Sequence, residues 1–394
     1  MSHAVDKLLT DIQALAPELV ARSAEIEDSR RIPLDLVEKL KAIGVFRLFV
    51  PKRLGGMELD FPSGMQVVTA LAKIDASAGW SAMISMVSTM LASLAQEPVL
   101  QRLYGEHPDT LIAGAGSPGG TADEEEGGYR VNGRWPFASG CQQADWMIGF
   151  CLVTRDGKPV LNDSGSTLMQ GMPKIRGVIL PASQWQIEDT WHVMGLKGTG
   201  SHHISLTDKF VPEENCFDID TSGSGKRGPL YDALLELMPL SFGAFFLGVA
   251  QGAVEDVIAL ANSGRVQQRT KVAMRDSEQF QAELGRIETN LQAARAYQAV
   301  QVDHHWQQAL AGTLRADAFT IQAQQQAVWV ATTCCAIVDA CFALAGGAVV
   351  YEHASLQRRL RDARTGAQHF STQQRHYATT GKYLLDHARP VEKA

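Results

Sequence analysis

The stretch at residues 361 to 370, RDARTGAQHF, carries one histidine, His369, close to the end of a segment with a helical pattern. Imidazole donates or accepts a proton near neutral pH, so His369 is a candidate for proton transfer or for hydrogen bonding to a reactive group. Between residues 365 and 372 there is no carboxylate. Neither Phe370 nor Thr372 can act as the base that a carbon acid requires. Two further stretches have a chemical look. In WPFASGCQQADW, residues 135 to 146, Trp135, Phe137, Ser139 and Gly140 stand at the end of a β-type run. In GLKGTGSHHISLTDKFVP, residues 195 to 212, a glycine-rich turn with Thr199 and Ser201 leads into a strand. Small residues in such turns let backbone N–H groups approach a planar or anionic ligand. Gly195, Gly198 and Gly200 do not follow the G-x-G-x-x-G spacing, and no strand–turn–helix unit surrounds them, so a Rossmann dinucleotide site is excluded.

Other constellations carry less. His304-His305 and Cys334-Cys335 are adjacent pairs, and helix neighbours diverge too far to form a ligand set. His202-His203 alternates faces on a strand, and the acidic run DEEEGG at 123 to 128 reads as a solvated hairpin tip. The six cysteines form no C-x-x-C pair and no secretory spacing, so neither a metal site nor a disulfide framework is expected, which fits a reducing cytoplasm. A net charge of −7 and a pI near 5.9 argue against a nucleic-acid or anionic-membrane surface. The N-terminus carries Asp6, Asp11 and Glu18 and does not read as a signal peptide. Asp339 interrupts the apolar run 336 to 350, so no stretch is expected to span a bilayer.

The elements that must position these residues follow from periodicity. With 394 residues, 45% hydrophobic, the chain can bury a large core in two or three domains. Residues 1 to 108 read as helical: Pro33 opens a helix whose Leu36, Leu40 and Ile43 share a face, and Gly44 stops it. Further helices are expected from Pro62 to Asp75 and from Ala78 to Ala95. Residues 109 to 220 change to short β-type runs separated by Gly, Asp, Asn and Pro, which predicts an antiparallel barrel or sandwich. After the joint at 221 to 229, residues 221 to 394 are helical again, with Leu284, Ile287 and Leu291 on one stripe of a bundle.

That order of elements, together with IPLDLVEKLKAIGVFRLFVPKRLGG, IDASAGWSAMIS, WPFASGCQQADW, MGLKGTGS and RRLRDARTGAQH, resembles the acyl-CoA dehydrogenase superfamily over nearly the whole chain. The match is more specific to its branch of two-component flavin-dependent monooxygenases, in which R-D-A-x-x-G-x-x-H recurs. Arg361, Asp362, Ala363, Gly366 and His369 fit that pattern position for position. The resemblance implies an α+β fold: an N-terminal helical domain, a central β-domain and a C-terminal four-helix bundle, with a flavin between the last two, in a homotetramer. It also implies reduced FAD or FMN and O2 as reactants, and a separate NAD(P)H-dependent flavin reductase, since the chain has no nicotinamide motif of its own.

On the same basis the resemblance assigns roles. His369 would stabilise a flavin C4a-hydroperoxide or guide proton transfer at the substrate, and Ser139 would hydrogen-bond at the reactive edge of the ring, helped by the backbone of Phe137 and Gly140. Trp135 would wall the ring. Thr199 and Ser201 would touch flavin or phosphate, and Arg265, Arg269 and the Gly346-Gly347 turn would surround the cofactor phosphates. Phenol hydroxylases of this branch carry a histidine in the helix after a Gly-Trp pair, and here Ser88 takes that place, flanked by Met86 and Met90. With Phe245 and Phe246 these give an apolar pocket that suits an indole-like ring better than a phenol. The alternatives are an acyl-CoA dehydrogenase or oxidase acting on a thioester, with its base near Glu255; an N- or S-oxygenase of the same fold; and a non-catalytic binding protein.

Overall fold

The structure, a computed structural model, describes residues 3–162, 171–219, 227–266, 271–314 and 317–387. It divides into two compact units, Met1–Leu234 and Leu235–Ala394. The first unit thus joins the parts expected as a helical and a β-domain. Most of the joint at 221 to 229 lies outside the described residues.

In the first unit come helices α1 (His3–Ala21), α2 (Ser23–Ser29), α3 (Leu34–Ile43), α4 (Phe61–Ile74), α5 (Ala76–Ala92) and α6 (Glu97–Tyr104), and α7 (Pro229–Asp232) near its end. Helix α3 ends where Gly44, at φ 91°, turns its N–H back to the carbonyls of Leu40 and Lys41. Helices α4 and α5 start at aspartate caps: Asp60 accepts from the Ser63 N–H and Asp75 from the Ala78 N–H. Between the helices lie strands β1 (Ile112–Glu125), β2 (Gly128–Ala138), β3 (Trp146–Arg155), β4 (Lys158–Pro159), β5 (Ile175–Pro181), β6 (Gln186–Glu188), β7 (His202–Pro212) and β8 (Cys216–Asp218).

These strands form one mixed sheet in the order β6-β7-β2-β1-β3-β5-β8, with β4 on β3. The sheet is not antiparallel throughout, because β1 and β3 run parallel. Parallel neighbours ordinarily need a long crossover. Here β2 has already brought the chain back to the end of the sheet where β1 begins, so a short loop past Asp145 suffices. Leu111 N–H donates to Asp145 Oδ2 at 2.9 Å, and Asp145 N–H returns a bond to Leu111 O at 2.9 Å. The acidic run is the β1–β2 hairpin tip, with Glu125 opposite Gly128.

Trp135 is fully buried in the core of this sheet with Val131, Met147, Trp185 and Ile204. Its Nε1–H donates to Phe150 O at 2.6 Å, and its ring meets Trp185 edge to face at 5.2 Å. It is therefore a core residue and not the wall of a ligand pocket. Between Trp135 and Ala138 the register against β7 slips, three steps on β2 facing two on β7. Phe137 sits there at φ 67°. Strict alternation would bury Phe137 beside Trp135, but the bulge turns it outward, to 64% exposure.

The second unit holds α8 (Leu234–Asn262), α9 (Glu278–Leu310), α10 (Asp317–Ala345), α11 (Ser355–Gly366) and α12 (His376–Asp386). Helix α10 packs against α9, α11 and α12. Buried amides tie the long helices: Gln298 Nε2 donates to Leu240 O at 2.9 Å, and Gln326 Nε2 donates to Gln298 Oε1. Gly243 makes room, since a β-carbon there would collide with the Gln298 amide. Arg359 bridges α11 to α8 through Asp256 at 2.8 Å. Contrary to the expectation from Asp339, two helical stretches among the described residues are long and apolar enough to cross a membrane, Leu234–Asn262 and Asp317–Val349. In the first, 89% of an apolar 18-residue window is buried inside the protein, as in a core helix; in the second, 50% of such a window is buried.

Trp135→Ala should empty a filled, hydrogen-bonded core position and destabilise the fold by about 3–5 kcal/mol. Chemical denaturation followed by circular dichroism measures this; a loss below about 1 kcal/mol would contradict the core placement of Trp135.

Candidate active site

Each unit builds one constellation around the residues singled out by sequence. In the first, the bulge in β2 delivers Ser139 to the strand end, where its N–H donates to Phe137 O at 2.9 Å and the Gly140 N–H to Thr199 O at 2.7 Å. Ser139 is buried, and a line of hydroxyls runs from it. Trp80 Nε1–H on α5 donates to Ser139 Oγ at 3.1 Å. Ser139 Oγ lies 2.7 Å from Ser201 Oγ, which lies 2.7 Å from Thr199 Oγ1, and Thr199 Oγ1 donates to Leu196 O at 2.8 Å. Leu196 takes a left-handed φ of 51°, which presents that carbonyl, and Trp191 Nε1–H donates to it as well at 3.1 Å. The loop before it is held by the Thr190 and Trp191 N–H groups, both donating to Nδ1 of the buried His202.

Thr199 and Ser201 are thus internal supports of Ser139, their hydroxyls engaged with one another rather than offered to a phosphate. The space beside Ser139, at Gly140, is open. Gly140 has no atom within 4 Å of where a β-carbon would stand, and the Phe137 ring is exposed with Trp191 and His203 against it edge to face. Trp80 was not among the expected site residues, although a buried indole N–H needs a partner and the Gly-Trp pair was visible.

In the second unit His369 caps the short turn Phe370–Thr372, its Nδ1 accepting from the Ser371 N–H at 3.2 Å. The half-buried ring stacks on Phe242 at 4.3 Å and lies against Phe370 at 4.5 Å. Burial pushes its pKa down from 6.5 to about 3. The imidazole is therefore neutral, and because Nδ1 uses its lone pair to accept, the proton resides on Nε2. His369 is a hydrogen-bond donor at Nε2, not a cation.

This pairing of sheet and helical bundle has known relatives. A family model described as acyl-CoA dehydrogenase, N-terminal domain, matches residues 7–104, and one described as acyl-CoA dehydrogenase, C-terminal domain, matches residues 240–374. An indole-3-acetate monooxygenase of Acinetobacter baumannii is 32% identical over 378 residues, covering 94% of this chain and 92% of that protein. The chain belongs to the acyl-CoA dehydrogenase superfamily, in its flavin-dependent monooxygenase branch. The oxygenase subunit HsaA of a flavin-dependent monooxygenase of Mycobacterium tuberculosis is 29% identical, covering 92% of this chain and 91% of that one. Among solved structures, XiaF from Streptomyces sp., in complex with FADH2 and glycerol, superposes with a TM-score of 0.89 at 25% identity over 99% of this chain and 98% of its own.

Within that superfamily a dehydrogenase needs a carboxylate base. Residues 365 to 372 have none, and Glu255 is exposed and accepts from Gln251. The substrate-pocket candidates divide between the units. In the first, Ser88, Met86 and Met90 are buried on α5, and Met86 packs against Phe49 and Gly64 as core. In the second, Phe245 and Phe246 are fully buried and meet edge to face at 5.1 Å, while Phe242, which sequence did not single out, touches His369. Nothing in SFGAFF distinguishes the three phenylalanines beforehand. Arg265, Gly346 and Gly347 are exposed, and Arg269 lies outside the described residues.

The depressed pKa of His369 has a sign. Between about pH 6.5 and pH 3 the unfolded chain binds a proton at this residue that the folded protein does not, so its contribution is fully present above pH 6.5 and is lost as pH falls through that window. Histidine-selective 15N NMR should show a neutral Nε2–H imidazole throughout the native acid range. Protonation of the folded protein near pH 6.5 would contradict the placement.

Proposed function

We propose that this chain is the oxygenase component of a two-component flavin-dependent monooxygenase. It uses reduced FAD or FMN and O2 to oxygenate a small aromatic or heteroaromatic ring, and the reduced flavin comes from a separate NAD(P)H-dependent reductase. The observation that carries the reading is His369: a neutral imidazole with its proton fixed on Nε2, in a segment that has no carboxylate.

The residues suit such a cofactor. The open face at Gly140 and Phe137 offers a planar ring a surface, and Ser139 keeps one lone pair after its contacts with Trp80 and Ser201. Bound reduced flavin supplies the electrons that activate dioxygen. Nε2–H of His369 would donate to an oxygen atom of the co-substrate, and the stack on Phe242 holds the ring that carries that donor. Arg265 and the Gly346-Gly347 turn are assigned to the phosphates.

An indole-like ring is favoured over a phenol because Ser88 stands where a phenol base would be required, and a serine is too weak a base to deprotonate a phenol. An electron-rich heteroaromatic needs no such base. A homotetramer would cover apolar surface of the second unit, where α10 is half-buried and Val300 on α9 and Val350 and Tyr351 after α10 are more than half exposed. A cytoplasmic setting suits the six buried free cysteines.

Replacing His369 with Ala should uncouple the reaction. With reduced flavin, O2 and indole supplied, product per flavin consumed should fall on the order of 10²-fold while hydrogen peroxide rises to match. His369→Gln, which keeps an N–H donor, should recover part of the loss. Unchanged coupling in His369→Ala would remove the residue from the mechanism.

A further inference from the structure

The hydroxyl line at Ser139 has a direction that its two ends impose. An indole N–H only donates, and a carbonyl only accepts. Thr199 Oγ1, 2.8 Å from Leu196 O, must therefore place its single proton on that carbonyl. Ser201, 2.7 Å from Thr199 Oγ1, then has to donate to it, and Ser139, 2.7 Å from Ser201 Oγ, has to donate to Ser201. At the other end Trp80 Nε1–H fills one acceptor position of Ser139. One lone pair of Ser139 remains, and no proton.

We propose that this polarity makes Ser139 an acceptor at the flavin's reactive edge and so selects the reduced cofactor over the oxidised one. The inference rests on the flavin assignment made above. N5 of a reduced flavin carries a hydrogen and donates; N5 of an oxidised flavin has only a lone pair. A Ser139 that accepts pairs with the first and sets two lone pairs against the second. Thr199 and Ser201 act as positioning residues, since they fix the Ser139 proton without touching the cofactor. An oxygenase fed by a separate reductase gains from this arrangement: the incoming reduced flavin is retained, and the oxidised product is released.

The experiment is to measure the dissociation constants of oxidised and of anaerobically reduced FAD and FMN for the wild-type protein and three variants. Ser201→Ala removes the acceptor for the Ser139 proton and frees it to donate outward. Thr199→Val does the same one step further along, and Leu196 O keeps the Trp191 Nε1–H. Trp80→Phe leaves the direction unchanged, because Leu196 O imposes it. The expected result is a wild-type preference for the reduced form that shrinks about three- to tenfold in Ser201→Ala and Thr199→Val, through tighter binding of oxidised flavin, and persists in Trp80→Phe. If both forms bind but the ratio is unchanged in Ser201→Ala and Thr199→Val, or if all three variants weaken both forms in parallel, the relay is only structural and the inference falls while the functional reading stands. If the wild-type protein binds neither form, the functional reading falls with it.

Discussion

The first unit depends on one backbone irregularity, the bulge that places Phe137 at a left-handed φ between Trp135 and Ala138. A non-glycine residue in that region carries strain, which the surrounding structure must hold in place. The hydrogen bond from Trp135 to Phe150 O and its edge contact with Trp185 secure one side of the bulge, and the Gly140 N–H bond to Thr199 O secures the other. One extra residue thereby separates two functions. Trp135 stays inside the core, while Phe137 turns to the surface. Ser139 is then placed by the fold and oriented by the hydroxyls beneath it.

The second unit fixes His369 by a different balance. Removing an imidazole from water disfavours its charged form, and a backbone N–H directed at Nδ1 selects which nitrogen keeps the proton. His369 combines both, between the rings of Phe242 and Phe370. The helix before it is anchored by the Arg359–Asp256 bridge, and Cys335 Sγ donates to Ala363 O at 3.6 Å, so packing of the long helices sets the position of the R-D-A-x-x-G-x-x-H segment. Energetic support comes from far along the chain, while the donor itself is set within three residues.

The sequence disclosed the helices with caps and glycine stops, the five long strands and the β1–β2 hairpin, because these obey local rules of capping, alternation and turn chemistry. It did not disclose the parallel pairing of β1 with β3, which depends on where β2 delivers the chain rather than on any local pattern. Strand periodicity placed Trp135 and Phe137 together, and only the bulge sets them on opposite sides. Thr199 and Ser201 were legible as polar residues in a glycine-rich turn. That they support Ser139 follows from long-range approach between β2, β7 and α5, as does the role of Trp80. His369 was legible from its motif, but its tautomer and its partner Phe242 required the folded helices.

The oxygenase account is tested most directly by following the oxygen atom itself. The protein is loaded anaerobically with reduced flavin and indole, mixed with 18O2, and the product examined by mass spectrometry, with a parallel run in H2 18O under ordinary oxygen. The account predicts a product that carries one heavy oxygen from 18O2 and none from water. A product labelled from water, or return of the flavin to its oxidised form with only hydrogen peroxide released for every ring compound offered, would contradict it.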